Sequence, residues 1–167
     1  MTGMNPPHLS TERIELAGSE FWLVGSPAIE RSEGGRLFEY THVVPAGQQT
    51  NPFAAGPFCK FVLPGAPSEA GVYAILVGDR LKYIGRCIDL QSAFGKSGCG
   101  GIGPSNIRKN GQSTNCKLNS RILELAKRGI AVHVWFHGTA DFVGVKRKLV
   151  AVLAPPWSGS GGSDDAI

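Results

Sequence analysis

The stretch GVYAILVGDRLKYIGRCIDLQSAF, residues 71–94, decides the fold of this chain. It opens with an apolar run that contains β-branched side chains, continues through the turn-forming pair Gly78 and Asp79, and resumes as LKYIG. Two apolar runs separated by turn residues are typical of a β-hairpin. The runs carry Tyr73 and Tyr83, which are ten residues apart in the sequence. We therefore predict a hairpin with one tyrosine on each strand.

The residues that follow the hairpin predict a short helix and then a long loop. Asp89 is suited to cap a helix that begins at about Leu90, because its carboxylate accepts hydrogen bonds from backbone N–H groups. Residues 95–112 contain six glycines and one proline, which disfavour regular structure.

Two longer helices and a third strand are predicted downstream of that loop. Apolar residues at helical spacing predict a helix that Ser113 or Thr114 caps and Gly129 ends. The run IAVHVWFH places two sets of side chains on alternate positions, which is typical of a strand. A final helix, capped by Asp141 or by Thr139, is stopped by a pair of prolines.

This order of elements predicts an α+β fold in which a small antiparallel β-sheet is flanked by helices. Residues 1–69 contain short apolar runs separated by Gly, Ser and Pro, so we predict an irregular N-terminal extension of extended or β segments packed on the core. The main domain is placed at residues 70–158. Residues 159–167, rich in Gly and Ser, are predicted to form a flexible tail.

The composition is that of a globular protein. The chain has 167 residues, of which 42% are hydrophobic and 18% charged. No apolar run approaches the roughly 18 residues that a membrane span needs, and the N-terminus has no signal-peptide pattern. We therefore expect a soluble protein in the cytoplasm, without a membrane partner.

The four cysteines are predicted to be reduced packing residues. A cytoplasmic location keeps thiols reduced, and free cysteine is most often a small buried side chain. Their spacing is too wide for a CxxC zinc knuckle. No metal site is predicted. The cysteines are Cys59, Cys87, Cys99 and Cys116.

The net charge of +4 is unevenly distributed along the chain. Residues 1–70 carry seven acidic and four basic side chains, whereas residues 95–128 carry seven basic side chains and one acidic side chain, Glu124. Clustered cations favour a polyanionic partner, because each neutralised phosphate releases condensed counterions. Charge alone leaves a solvated basic surface equally open. A homodimer through the acidic N-terminal region also stays open.

Two motifs resemble those of the GIY-YIG nuclease family. GVY and YIG stand at the characteristic spacing on the predicted hairpin, and RCIDLQSAF follows where that family has its first helix. The later stretch GCGGIGPSNIRKNGQSTNCKLNSRIL is similar to the restriction-endonuclease branch, in which a GYG-I-P-N loop precedes GQSTNCRIN. The resemblance covers roughly residues 70–158 and implies a small sheet flanked by helices.

The resemblance implies hydrolysis of a phosphodiester by a metal-activated water. In the family a helix-borne glutamate holds one divalent cation, a hairpin tyrosine activates or orients the water, and an arginine stabilises the phosphate charge. Tyr73 and Tyr83 match the motif tyrosines, and Arg86 is the basic residue directly after YIG. Three family positions are replaced here: the arginine by Ala93, the glutamate by Lys146 and the asparagine by Ser158.

Our first hypothesis is a DNA-binding protein of GIY-YIG nuclease fold that has lost phosphodiesterase activity. It needs neither cofactor nor metal. The basic loop and the following helix would contact phosphates and base edges. The predicted DNA-binding residues are Lys96, Arg108, Lys109, Gln112, Asn115, Lys117 and Arg121.

Two alternatives stay open. One is an active, or an engineered inactive, Mg²⁺-dependent endonuclease, for which Glu124 is the other candidate carboxylate; the simpler role for Glu124 is an ion pair with Lys127 or Arg128. The other is a nuclease scaffold reused for an anionic small molecule, with Lys146, Arg86 and Tyr73 as ligands. In that case His133 and His137, on one strand face, are candidate acids or bases, although partly buried packing is their simpler role.

Overall fold

The computed structural model describes residues 12–158. The predicted tail, residues 159–167, and the first eleven residues of the predicted extension lie outside the described residues. The described chain forms two compact units that alternate along the sequence. The first unit comprises residues 12–26, 63–90 and 133–158, and the second comprises residues 27–62 and 91–132.

The structure contains seven strands and three α-helices within the described residues. The strands are β1 (Arg13–Leu16), β2 (Ser19–Gly25), β3 (Ala28–Ile29), β4 (Phe61–Val62), β5 (Gly71–Val77), β6 (Arg80–Cys87) and β7 (Val132–Gly138). The helices are α1 (Leu90–Ala93), α2 (Ser113–Lys127) and α3 (Phe142–Leu153), followed by a 3-10 turn at Pro156–Ser158. No helix among these residues is long and apolar enough to cross a membrane.

A five-stranded sheet in the order β1-β2-β7-β5-β6 forms the centre of the first unit. The pairs β1/β2, β2/β7 and β5/β6 are antiparallel, and α3 packs against β5 and β6. The predicted α+β class, the hairpin and the third strand are confirmed. Two of the five strands, β1 and β2, come from residues that the sequence assigned to the N-terminal extension. They belong to the sheet because β2 pairs with β7 and its Phe21 is fully buried in the core.

The core of the first unit lies on the face of the sheet that α3 covers. The side chains there come from β2, β5, β6, β7 and α3, and burial of this apolar surface stabilises the unit. The buried members are Phe21, Val72, Ala74, Leu76, Ile84, Trp135 and Leu149.

The second unit is built around α2 and the glycine-rich loop. Its fully buried Asn119 accepts the Cys59 N–H at 2.8 Å and donates to the carbonyls of Cys59 and Cys99 at 2.7 and 2.8 Å. The helix is thereby joined to a segment sixty residues earlier and to the loop that precedes it. As predicted, residues 95–112 contain no helix or strand.

The helix caps agree only partly with the sequence prediction. Asp141 caps α3, because its Oδ1 accepts the Gly144 N–H at 3.2 Å. The prediction that Ser113 or Thr114 caps α2 is wrong: both lie inside the helix, and Gln112 occupies the N-cap position without a side-chain cap.

All four cysteines are free and buried, as predicted. Cys87 belongs to the first unit, and the other three belong to the second. Burial raises the pKa of Cys59 to about 12 and that of Cys87 to about 11. It also raises the pKa values of Cys99 and Cys116. The thiolate, which is the reactive form, is therefore disfavoured in the folded chain.

Candidate functional site

The two motif tyrosines lie together on one face of the hairpin. Their ring centroids are 5.9 Å apart, and each side chain is only 6% exposed. Tyr73 pairs across the hairpin with Gly85, and a Cβ atom at Gly85 would overlap the Tyr73 phenol ring. Gly71 is equally constrained, by the Phe136 ring and a backbone carbonyl. The glycines of both motifs are thus required by packing, and the tyrosines are core side chains.

Arg86 and Lys146 meet on the opposite face of the hairpin. Arg86 pairs with Val72, whose side chain packs in the core beneath α3. Since successive strand residues point to opposite faces, Arg86 points toward α3, away from the face of Tyr73. Lys146 on α3 is half-buried, and burial together with Arg86 lowers its pKa. The hypothetical anion site of Lys146, Arg86 and Tyr73 therefore has its two cations on one face and its phenol on the other.

The residues around Lys146 do not fit a divalent cation. Magnesium is held by carboxylate and other oxygen ligands, whereas this position presents an ammonium beside a guanidinium. Across residues 12–158 no group of three or more His, Cys, Asp or Glu side chains is placed to hold a metal ion.

Glu124, the other candidate carboxylate, is exposed on α2. Its predicted ion pair with Lys127 or Arg128 is wrong, because Lys127 Nζ instead lies 2.9 Å from a carboxylate oxygen of Glu39. No other described residue forms an ion pair with Glu124.

Ser158 and His137 make structural contacts within the first unit, and His133 lies on the same strand as His137. The Ser158 Oγ accepts the Ile84 N–H of the edge strand β6 at 3.3 Å. His137 Nδ1 lies 2.9 Å from the Glu20 carbonyl, and its ring packs against Phe21. His133 is half-buried on the same strand. These contacts match the packing role considered for the histidines.

Ala93, where the resemblance expects an arginine, ends α1 and belongs to the second unit. Its carbonyl accepts the Cys99 N–H at 2.9 Å, and Gly98 lies so close that a Cβ there would overlap the Ala93 carbonyl. The residue therefore turns the chain into the glycine-rich loop. Its methyl group offers no hydrogen bond to a phosphate.

The predicted DNA-binding residues, all in the second unit, differ in how available they are. Lys96, Arg108 and Lys109 are exposed on the loop. No hydrogen bond or ion pair joins their side chains to another described residue. These three cations are therefore open to solvent and to an anionic partner.

The remaining predicted contacts are engaged within the protein. Gln112 Oε1 accepts from Asn106 at 2.6 Å and from Asn115 at 3.0 Å. Lys117 is 5% exposed, with its ammonium 5.6 Å from the centre of the Phe53 ring. Arg121 is half-buried and lines a pocket of about 200 Å³ with Lys117 and Phe53. The side chains of Gln112, Asn115 and Lys117 are thus engaged in contacts within the second unit.

The sequence missed Gln48 and Gln49, which the fold brings beside Arg108 and Lys109. The Lys109 N–H donates to the Gln49 carbonyl at 3.1 Å, and Gln48, Gln49, Arg108, Lys109 and Asn110 together line an open depression of about 640 Å³. The two segments are some sixty residues apart, and the only local signal is the polar run QQTN.

Comparisons with protein-family models, with curated proteins and with solved structures give no match for this chain.

Proposed function

We propose that this chain binds duplex DNA and does not hydrolyse it. The observation that carries the proposal is a set of exposed cations on the second unit that have no acidic partner among the described residues. Four members of this set are Lys96, Arg108, Lys109 and Arg128. The resemblance to a family of nucleases supports DNA as the partner of these cations. This resemblance is itself part of the proposal.

These exposed cations predict a salt-dependent affinity for DNA. Each phosphate contact in duplex DNA contributes about 0.9 to the slope of log affinity against log salt concentration. Contacts from four cations thus predict a slope of about −3 to −4.

Three positions argue against hydrolysis. Lys146 supplies an ammonium where the family has its metal carboxylate, and Ala93 supplies a methyl group where the family has its arginine. Loss of one such electrostatic partner typically lowers a rate by two to three orders of magnitude. Tyr73, the remaining motif residue in the mechanism, is packed in the core.

The binding test measures fluorescence anisotropy of a labelled duplex at two salt concentrations without divalent metal, with single-stranded DNA alongside. The triple variant Lys96→Ala, Arg108→Ala, Lys109→Ala should bind more weakly and with a salt slope reduced by about 3. The control triple Arg80→Ala, Arg147→Ala, Lys148→Ala removes the same charge from exposed residues of the first unit. Equal losses in both triples would show only nonspecific attraction and would contradict the proposed surface.

The cleavage test incubates supercoiled plasmid with the purified protein and Mg²⁺ or Mn²⁺. We expect the plasmid to stay supercoiled, because the α3 position that should hold the metal is a lysine. Nicking that co-purifies with the protein and disappears in Tyr73→Phe would support the endonuclease alternative instead.

The paired cations Arg86 and Lys146 support a second candidate function, binding of a small anion on the α3 face of the first unit. In this half-buried position the attraction between an anion and the Lys146 ammonium is screened less by water than it would be at an exposed lysine. Inorganic phosphate should then raise the melting temperature of the wild type and of Arg80→Gln but not that of Arg86→Gln. A phosphate effect that is equal in all three proteins would rule this site out.

A further inference from the structure

We infer that residues 48–51 and 107–110 form a two-stranded ribbon that enters the major groove of duplex DNA and reads base edges. The inference rests on the proposed DNA binding and goes beyond it, because it assigns sequence recognition to a particular structure. We call these two segments the reading ribbon.

The backbone of the reading ribbon is held in antiparallel pairing. Thr50 bridges to Arg108, the Asn51 N–H donates to the Ile107 carbonyl at 3.0 Å, and the Lys109 N–H donates to Gln49 at 3.1 Å. A two-stranded β-ribbon fits the major groove, which is about 12 Å wide. The two segments resemble such a ribbon over a single β-bridge, Thr50 to Arg108, with one backbone hydrogen bond on either side of it.

The side chains of the reading ribbon have the chemistry that base edges require. Glutamine and asparagine form paired hydrogen bonds with adenine, and arginine does so with guanine. Gln49, Arg108, Lys109 and Asn110 are exposed, and Gln48 is half-exposed. None of these side chains hydrogen-bonds to another described residue, so their donors and acceptors are available to DNA.

The base of the ribbon is rigid. Asn51 is 5% exposed, and its amide donates to the carbonyls of Asn106 and Arg108 at 2.8 and 3.2 Å. Ile107 is buried in the apolar cluster of the second unit. The backbone that carries the reading side chains is therefore ordered before DNA binds, which lowers the entropy lost on association.

Helix α2 is less suited to read bases, although the sequence singled it out. The amides of Gln112 and Asn115 bond to each other and to the loop, and Lys117 is buried against Phe53. Using them on DNA would first break these internal contacts. Recognition therefore falls to the ribbon.

The experiment selects bound duplexes from a random-sequence library and measures the affinity ratio between the enriched and a scrambled duplex at fixed salt. The double variant Gln48→Ala, Gln49→Ala should lower this ratio by about fivefold or more, with the salt slope unchanged because no charge is removed. Gln91→Ala, an exposed glutamine of α1, is the matched control and should leave the ratio unchanged.

A second variant, Arg108→Lys, keeps the charge but removes the planar fork that recognises guanine. It should reduce the preference at guanine positions of the enriched site, whereas Arg36→Lys should not. Melting temperatures equal to that of the wild type show that each variant is folded.

The outcomes separate this inference from the proposed function. Salt-dependent duplex binding without an enriched sequence overturns the reading ribbon and leaves DNA binding intact. The inference is also overturned if the double glutamine variant loses the same affinity for the enriched and for the scrambled duplex. The two glutamines would then contact the DNA backbone, which is the same in both duplexes. Absence of duplex binding at any salt concentration overturns both.

Discussion

At the scale of single residues, Asn119 illustrates how a buried polar group fixes a fold. Its amide satisfies three backbone groups that have no access to solvent, in segments far apart in the sequence. Buried polar groups that lose their partners cost about 1–3 kcal/mol each. The residue therefore connects three parts of the second unit.

We predict that Asn119→Ala lowers the free energy of unfolding by about 2–4 kcal/mol, since it leaves these groups unsatisfied and opens a small cavity. Urea unfolding followed by circular dichroism measures the change. Asn110→Ala is the control, because Asn110 is exposed and makes no such bonds. Equal stability of the two variants would contradict a clamping role for Asn119.

Residue neighbours within the hairpin were predictable from the sequence, whereas those in the second unit were not. The pairing of two strands joined by a tight turn fixes which residues face each other, so the proximity of Tyr73 and Tyr83 follows from their spacing. The contact between Gln49 and Lys109 depends on two loops meeting in three dimensions. The sequence of neither loop contains a pattern that predicts this contact.

At the scale of elements, helix α3 carries one lysine in an unfavourable setting. Lys146 has a lowered pKa because it is half-buried and faces Arg86. Its folded-state pKa is thus below its unfolded-state value, so the charged lysine destabilises the fold at neutral pH. The penalty fades as pH rises through the folded-state pKa, because the native lysine then loses its proton.

We predict that Lys146→Met raises the free energy of unfolding at pH 7 by up to about 0.5 kcal/mol. The gain should shrink at alkaline pH, where the wild-type penalty is relieved. Denaturant titrations at several pH values measure it, with the exposed Lys148→Met on the same helix as control. A gain that grows with pH would show that the charge of Lys146 is not its cause.

Element types were predicted better than element ends and partners. The hairpin, α2, β7 and α3 all have clear periodicity in the sequence. The cap predicted for α2 is wrong because Gln112 occupies the N-cap position, and its side-chain oxygen accepts from Asn106 and Asn115 instead of from the helix backbone. Strand β1 is four residues long, too short for a distinct pattern.

At the scale of the whole molecule, the two units alternate along the chain, and each depends on residues before position 70. In the first unit β2 pairs with β7 and contributes the buried Phe21. In the second, Phe58, Cys59 and Phe61 are buried. Residues 70–158, the predicted main domain, therefore contain only part of either core.

We predict that a fragment of residues 70–158 does not unfold cooperatively, because it lacks these core residues and leaves β7 without its β2 partner. Thermal unfolding followed by near-ultraviolet circular dichroism measures this, and residues 12–158 serve as the control. A native-like spectrum with a sharp transition in the shorter fragment would show that the resembling region folds alone. The proposed cytoplasmic location and homodimer stay predictions of the sequence.

The buried cysteines allow the rate of local unfolding to be measured separately for each unit. A thiol reagent modifies Cys87 only when the first unit opens, and modifies Cys59, Cys99 or Cys116 only when the second does. Variants that keep a single cysteine would therefore give a separate opening rate for each unit from one labelling reaction. Equal rates would mean that the two units open together, and unequal rates would identify the unit that opens more readily.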